Sequence, residues 1–276
     1  MYSTLMVHLD LDRDNAPLLD ITSELAERFD ADVVGIMACQ PVALIVGDSF
    51  VPVEVFESDR TEIEEQMKAA EQAFRTALAK RAGRLHWRAQ LTNTAPTAYI
   101  VQQVRSADLL ITGVDTRSSW DNPARRVDVE DLVMQAGRPA LIVPAGARKL
   151  AAENILVGWK DTRVSRRAVT DALPFLQTAK RVVVAEVVGE TGEIPDARKN
   201  AEDVCAWLQR HDVAAEPLAI SVGSKYVVSL DSIAEQVGAD LVVAGAYGHS
   251  RMREWALGGV TRDLLKHSRR CSLLSH

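Results

Sequence analysis

An internal repeat limits the folds open to this chain more than any other feature of its sequence. The segment ADLLITGVDT at 107–116 matches ADLVVAGAYG at 239–248, at an offset of 132 residues. The same offset places RPALIVP, which starts at Arg138, over the apolar run that ends the chain. Two copies of one folding unit are the simplest account, and they predict domains at 1–146 and 147–276.

Each copy alternates strand-like and helix-like segments. Short runs rich in Val, Ile and Leu alternate with longer segments whose apolar residues recur at helical spacing. In the first copy we predict strands near 4–9, 33–39, 85–91, 108–112 and 140–143, with helices near 16–29, 59–82, 96–106 and 127–136. In the second copy we predict strands near 154–159, 181–188, 214–220, 240–244 and 271–275, with helices near 163–177, 196–210, 227–237 and 259–267. This alternation predicts an α/β fold made of two doubly wound parallel-sheet domains.

Composition and charge narrow the class of protein. The sequence has no run of about 18 uncharged apolar residues and no basic N-terminal stretch, so we expect neither a membrane span nor a signal peptide. Three scattered cysteines, Cys39, Cys205 and Cys271, favour a cytoplasmic compartment. The net charge of -6 argues against nucleic-acid binding. Residues 1–146 carry 14 Lys and Arg against 22 Asp and Glu, whereas 147–276 carry 18 against 16, so an anionic ligand fits the second half better.

Glycines at a fixed spacing follow the fourth predicted strand of the second copy. Two residues separate Gly245 from Gly248, and nine more precede Gly258. This pattern resembles the G-x2-G-x9-G-[ST] signature of the universal stress protein family, and the resemblance extends over both copies. It implies Rossmann-like domains, similar to the adenine nucleotide alpha hydrolases, that pack as a pseudo-dimer through antiparallel pairing of their last strands.

In nucleotide-binding members of that family, ATP lies along the ends of the first and fourth strands. The resemblance therefore implies that the second copy binds ATP or a related adenine nucleotide, with or without Mg²⁺. Free backbone N–H groups at a helix N-terminus favour an anion, and a Cβ atom there would keep a phosphate away. The residues at the matching positions are Gly158, Trp159, Lys160, Asp161, Val187, Ala244, Gly245, Gly248, His249, Arg251, Gly258, Gly259, Val260 and Thr261.

The second copy departs from the family pattern at two positions. Gly259 stands where the family has a hydroxyl residue, which leaves Thr261 as a substitute donor or as a helix N-cap. Lys160 stands where the family has the acid that contacts adenine. Because an ammonium group has no acceptor, Asp161 would have to take that role, and Lys160 could instead favour a phosphate.

The first copy is degraded in a complementary way. Asp10 occupies the acidic position, but Thr116 replaces the second glycine, and Arg126 and Val127 replace the third glycine and its partner. Three acids within 128–131 begin the last helix of this copy, where they suit the helix dipole and would repel a phosphate. We therefore expect no ATP in the first copy.

Each of these features also has a plain structural interpretation. The glycines can be turns inherited from a nucleotide-binding ancestor, and His249 can be an ordinary loop residue. Arg251, Arg253 and Arg262 can pair with phosphate or can form a solvated face. The apolar segment 41–56 can cover its own cleft or can form a docking surface.

Two classes of function remain open. One is a stress-response regulator that binds an adenine nucleotide in its second domain; since no side chain is placed as a hydrolytic base, ATP hydrolysis would be slow or absent. The other is a nucleotide-free interaction module that works through protein partners. Pairing of two chains into a homodimer fits either class. An adenylating enzyme is disfavoured because the phosphate motifs HxGH and SGGxDS do not occur.

Overall fold

A computed structural model provides the fold and describes residues 1–11, 13–41, 45–46, 49–50, 52–114, 127–221, 229–246, 264–265 and 269–276. Its strands are β1 Thr4–His8, β2 Asp32–Cys39, β3 Ile45–Val46, β4 Ser49–Phe50, β5 Leu85–Leu91, β6 Leu109–Gly113, β7 Ala140–Val143, β8 Asn154–Trp159, β9 Arg181–Val188, β10 Ala215–Ser221, β11 Leu241–Gly245 and β12 Cys271–Ser275. Its helices are α1 Ala16–Phe29, α2 Val53–Leu78, α3 Pro96–Val104, α4 Val129–Gln135, α5 Arg163–Asp171, α6 Leu173–Leu176, α7 Ile194–Gln209 and α8 Leu230–Val237.

Within the described residues, ten strands form one sheet in the order β10-β9-β8-β11-β12-β7-β6-β1-β2-β5. The first five come from the second half of the chain and the last five from the first half, and both halves repeat the same internal order. Neighbours run parallel except β7 and β12, which pair antiparallel with Leu141 opposite Leu273. The predicted α/β class and the pairing of the last strands are therefore confirmed.

The side chains of the sheet alternate between two hydrophobic layers, as the pleat of a strand requires. In β8, Ile155 and Val157 face the layer that contains α1, α5 and α7, whereas Leu156 faces the layer that contains α8. All three are at most 1% exposed. Because both faces of the sheet are covered, its strands are continuous apolar runs in the sequence.

Aromatic side chains from both halves meet beside the central strand pair. The rings of Tyr2, Phe29 and Phe175 have centroids 5.2 to 5.6 Å apart. The hydroxyl of Tyr2 donates to the backbone oxygen of Asp171, and burial raises the pKa of this phenol. The two halves thus share a core in addition to a sheet.

Most predicted elements lie within three residues of the observed bounds, but two predicted helices and one connecting segment differ more clearly. Helix α2 begins at Val53, directly after Pro52 and six residues before the predicted start. The single helix predicted at 163–177 is wrong, since Pro174 has no N–H for the helical ladder and the chain forms α5 and α6 instead. The segment 41–56 contains the antiparallel pair β3 and β4, where we predicted a loop. Most of the helix predicted at 259–267 lies outside the described residues.

Candidate functional site

The strand order places a crevice at the carboxyl ends of β8 and β11. Strand β8 lies between β9 and β11, so the chain leaves β8 toward one side and later returns on the other. Open α/β sheets bind ligands at such a switch point. Gly245 is the last residue of β11, so the glycine motif starts at this crevice.

Gly245 is packed against the first turn of α5. A Cβ atom on this residue would lie 2.7 Å from the backbone nitrogen of Ser165 and from the carbonyl carbon of Val164. No real Cβ contact is that short, so a glycine is required for α5 to approach β11. The sequence did not distinguish this packing role from the phosphate contact that the resemblance implies.

The predicted site residues at this end of the sheet are divided between its two faces. Gly158 lies on the side of α8, because a Cβ atom on it would come within 2.6 Å of a Leu230 methyl group. Ala244 and Val187 pack in the same layer. Trp159 packs in the opposite layer, toward α5 and α7.

Lys160 and Asp161 form an exposed turn between β8 and α5. The backbone oxygen of Lys160 accepts from the N–H of Thr162 at 2.6 Å, and the Thr162 hydroxyl caps α5 by accepting from the N–H of Ser165 at 3.3 Å. The carboxylate of Asp161 is paired with the guanidinium of Arg166. A contact from Asp161 to adenine would have to compete with this ion pair.

The sequence analysis overlooked Glu186, which lies beside Trp159 in the register of β8 and β9. Its side chain is 8% exposed, and its Oε2 has no hydrogen-bond partner among the described residues. Burial raises the pKa of this carboxyl; a hydrogen bond with Asn200 lowers it, and the charges of Asp161 and Lys160 act in opposite directions. The signal was present in the sequence as a lone acid within the run RVVVAEVV.

Half of the predicted site lies outside the residues that the structure describes. These residues are Gly248, His249, Arg251, Gly258, Gly259, Val260 and Thr261. Arg253 and Arg262 lie outside it as well. The assignment of a phosphate contact to any of them stays a prediction.

In the first half, Arg13 occupies the equivalent crevice at the ends of β1 and β6. Its Nη1 donates to the backbone oxygen of Val114 at 2.6 Å and lies 3.3 Å from the carboxylate of Asp10. The same nitrogen lies 3.5 Å from the point where a Cβ atom on Gly113 would be. A guanidinium of the chain itself thus contacts the ends of both strands at the first-half crevice.

The described residues contain neither a membrane-spanning helix nor a cluster of metal-ligating side chains. No helix in that part of the chain is long and apolar enough to cross a membrane. The same residues contain no group of three or more His, Cys, Asp and Glu side chains that could hold a metal ion. Cys39, Cys205 and Cys271 are buried and form no disulfide.

Comparison with known proteins gives a match in structure. No protein-family model and no curated protein matches the sequence. A universal stress protein from Archaeoglobus fulgidus aligns over 99% of this chain and 95% of its own, with 12% identity and a TM-score of 0.68. The chain has the fold of the universal stress proteins. A protein from Pseudomonas aeruginosa, described as a universal stress protein, aligns over 99% of this chain and 93% of its own, with 15% identity and a TM-score of 0.63.

A third match comes from a protein with a different description. The cytoplasmic domain of a prokaryotic cation chloride cotransporter aligns over 99% of this chain and 95% of its own, with 11% identity and a TM-score of 0.51. All three matches span both halves of the chain. The likeness of fold therefore extends over the whole chain.

Proposed function

We propose that this chain is a tandem member of the universal stress protein family, with domains at 1–146 and 147–276. We propose further that it is a stress-response regulator that binds ATP or a related adenine nucleotide in the second domain. One observation carries this proposal: Gly245 ends β11 at the switch point of the second half, and the remaining glycines follow at the spacing of the family motif. The location proposed for the protein is the cytoplasm.

Physical chemistry favours the second half for an anionic ligand. This half carries an excess of basic residues, 18 against 16, and Lys160 is exposed beside the crevice. Backbone N–H groups after a glycine-rich turn bind phosphate without any side chain. The role of Asp161 in this proposal is limited by its ion pair with Arg166.

The first half is proposed not to bind ATP. Arg13 lies at its crevice, and the acids at the start of α4 already serve the helix, since Asp128 accepts from the N–H of Asp131 at 3.0 Å. A phosphate at that helix start would meet the carboxylates of Asp128, Glu130 and Asp131. The pseudo-dimer would therefore hold one nucleotide per chain.

The proposal assigns no catalytic residue. Any Mg²⁺ would enter with the nucleotide phosphates, as this ion commonly does. We therefore expect ATP hydrolysis to be slow or absent.

Calorimetric titration with ATP, with and without Mg²⁺, tests the proposal. We expect one site per chain, which is lost when Gly248→Val adds a branched side chain to the motif. Alanine substitutions at Arg251, Arg253 and Arg262 should weaken binding if these side chains pair with phosphate. The absence of heat at millimolar ATP, with a folded protein, would overturn the proposal.

The second candidate is a nucleotide-free module that acts through protein partners. The Asp161–Arg166 ion pair favours it, because the acid nearest to the family's adenine-binding position is already engaged. Lys160 favours it because an ammonium group cannot accept a hydrogen bond from adenine. Gly259 favours it because it lacks the hydroxyl group that the family has at this position. A failed titration with ATP would select this candidate.

A further inference from the structure

A pocket of about 410 Å³ lies between α5 and α7, and we call it the α5–α7 pocket. It borders the hydrophobic layer opposite to that of Val187 and Ala244. It shares only Trp159 and Asp161 with the predicted nucleotide site. Its volume is within the range of small-molecule sites in proteins.

The helices on either side of the pocket, α5 and α7, bury mainly small and medium-sized side chains. The buried residues of these two helices are Val164, Ser165, Ala168, Val169, Ala197, Ala201, Val204, Cys205 and Leu208. In the first half, α1 packs against α2 with larger buried residues such as Leu25, Met67 and Phe74. The two helix pairs therefore differ in the size of the side chains that they bury.

Aromatic side chains form two parts of the pocket wall. Trp159 lies at the end of β8, and Trp207 lies in the last turn of α7. Val169 of α5 and Val204 of α7 also line the pocket. The indole of Trp207 contacts the ring of His211, with centroids 4.1 Å apart and ring planes tilted by 34°. The face of an indole carries negative charge density and attracts cations better than other aromatic rings do.

The charged side chains that line the pocket carry a net negative charge. Asp161 and Arg166, both at the wall, pair with each other. Asp203 also lines the wall, and no ion pair to it occurs in the described part of the chain. Behind the wall lies the buried carboxyl of Glu186, and Asn200, whose interaction lowers the pKa of that carboxyl, itself lines the pocket.

We propose that the α5–α7 pocket binds a small organic cation, an amine or a quaternary ammonium compound. The indoles of Trp159 and Trp207 contact the cation, and Asp203 is its counter-ion. An anion is disfavoured because the single guanidinium of the wall is already engaged by Asp161. This site lies outside the proposed phosphate contacts, so it stands whether or not ATP binds.

Choline chloride is the probe for this proposal, and tryptophan fluorescence and calorimetry are the readouts on the full chain. We expect saturable binding with a dissociation constant of about 0.1–5 mM, measured against sodium chloride at equal ionic strength. The neutral isostere 3,3-dimethylbutan-1-ol has the same shape without the charge. We expect it to bind at least about tenfold more weakly than choline.

Two matched variants locate the site. Asp203→Asn should weaken choline binding about three- to fivefold, because it removes one exposed counter-ion. Asp196→Asn makes the same charge change about two turns earlier on α7 and should leave the affinity unchanged. Thr170→Phe places a ring at the pocket wall and should abolish binding while the thermal midpoint stays close to that of the parent protein.

Three results would overturn the proposal. One is no change of fluorescence or heat up to about 50 mM choline, far above the dissociation constants of specific cation sites. Another is equal affinity for choline and its neutral isostere, since the pocket would then recognise shape alone. The third is an equal loss of affinity in Asp203→Asn and Asp196→Asn. Choline would then respond only to the overall negative charge of α7 and not to a counter-ion at the pocket.

Discussion

Glu186 shows how a single side chain can work against the stability of the element that carries it. It is an acid within an otherwise apolar strand, its side chain is 8% exposed, and its Oε2 has no partner among the described residues. Buried polar groups without partners are uncommon in proteins and call for an explanation. Glu186 lies beside Trp159, which lines the α5–α7 pocket.

Substitution of Glu186 tests whether its ionised carboxylate lowers the stability of the folded protein. The ordinary pKa of 4.5 is raised in the folded protein, first of all by burial. The protein is therefore stabilised while the group is protonated, and this contribution is lost as the pH rises from 4.5 through the folded pKa. We expect Glu186→Gln to match the parent protein near pH 4 and to exceed its free energy of unfolding by about 1 kcal/mol at pH 7.

Urea denaturation at the two pH values measures this difference. Glu235→Gln, on the exposed surface of α8, is the control and should change stability little at either pH. If Glu186→Gln were less stable than the parent protein at pH 7, the ionised carboxylate would be a stabilising group, and this reading of Glu186 would be wrong.

At the scale of elements, the contact between β11 and α5 decides how the second crevice is built. The first turn of α5 lies directly on Gly245, and the cap from Thr162 holds that turn in place. In the first half, the residue that corresponds to Gly245 is Gly113, and the group closest to its missing Cβ belongs to Arg13. The two copies thus use the same glycine position to accommodate different neighbours.

Adding one methyl group at Gly245 tests the importance of this contact. Gly245→Ala would place Cβ 2.7 Å from backbone atoms of α5, which cannot rotate away as a side chain can. We expect a loss of about 1–3 kcal/mol in the free energy of unfolding, as for other overpacked sites. Gly192→Ala is the control, since nothing lies within 4 Å of its added methyl group, and it should change stability by less than about 0.5 kcal/mol. Equal stability of the two variants would show that α5 can move away from β11.

At the scale of the whole molecule, the pairing of β7 with β12 turns two sheets into one. Every residue of both strands is buried, so neither strand could remain an open edge in water. The outer edges of the sheet are β5 and β10, and β10 carries Pro217, a residue that suits an edge because it has no N–H to donate.

Separation of the halves tests the role of this seam. A fragment of residues 147–276 would expose the edge of β12, and we expect it to form a homodimer in which two copies of this strand pair antiparallel. Light scattering after gel filtration at micromolar concentration measures the mass, and addition of fragment 1–146 should convert the homodimer into a one-to-one complex. A stable monomer of either fragment would contradict a seam that depends on the partner half.

Local patterns in the sequence determined the repeat, the α/β class and most element bounds. The strands at 85–91, 140–143, 154–159, 181–188 and 271–275 were predicted to the residue, as was the helix at 16–29. These succeed because strand and helix periodicity are properties of neighbouring residues. The same pattern placed the glycine motif at the end of β11.

Only the tertiary structure decided what surrounds the candidate sites. It placed Gly158 and Trp159 on opposite sides of the sheet, paired Asp161 with Arg166, and set Arg13 at the first crevice. It also formed the α5–α7 pocket, which is lined by residues from two helices about thirty positions apart. Such contacts join residues distant in the chain, and their geometry follows from how whole elements pack, which no local pattern contains.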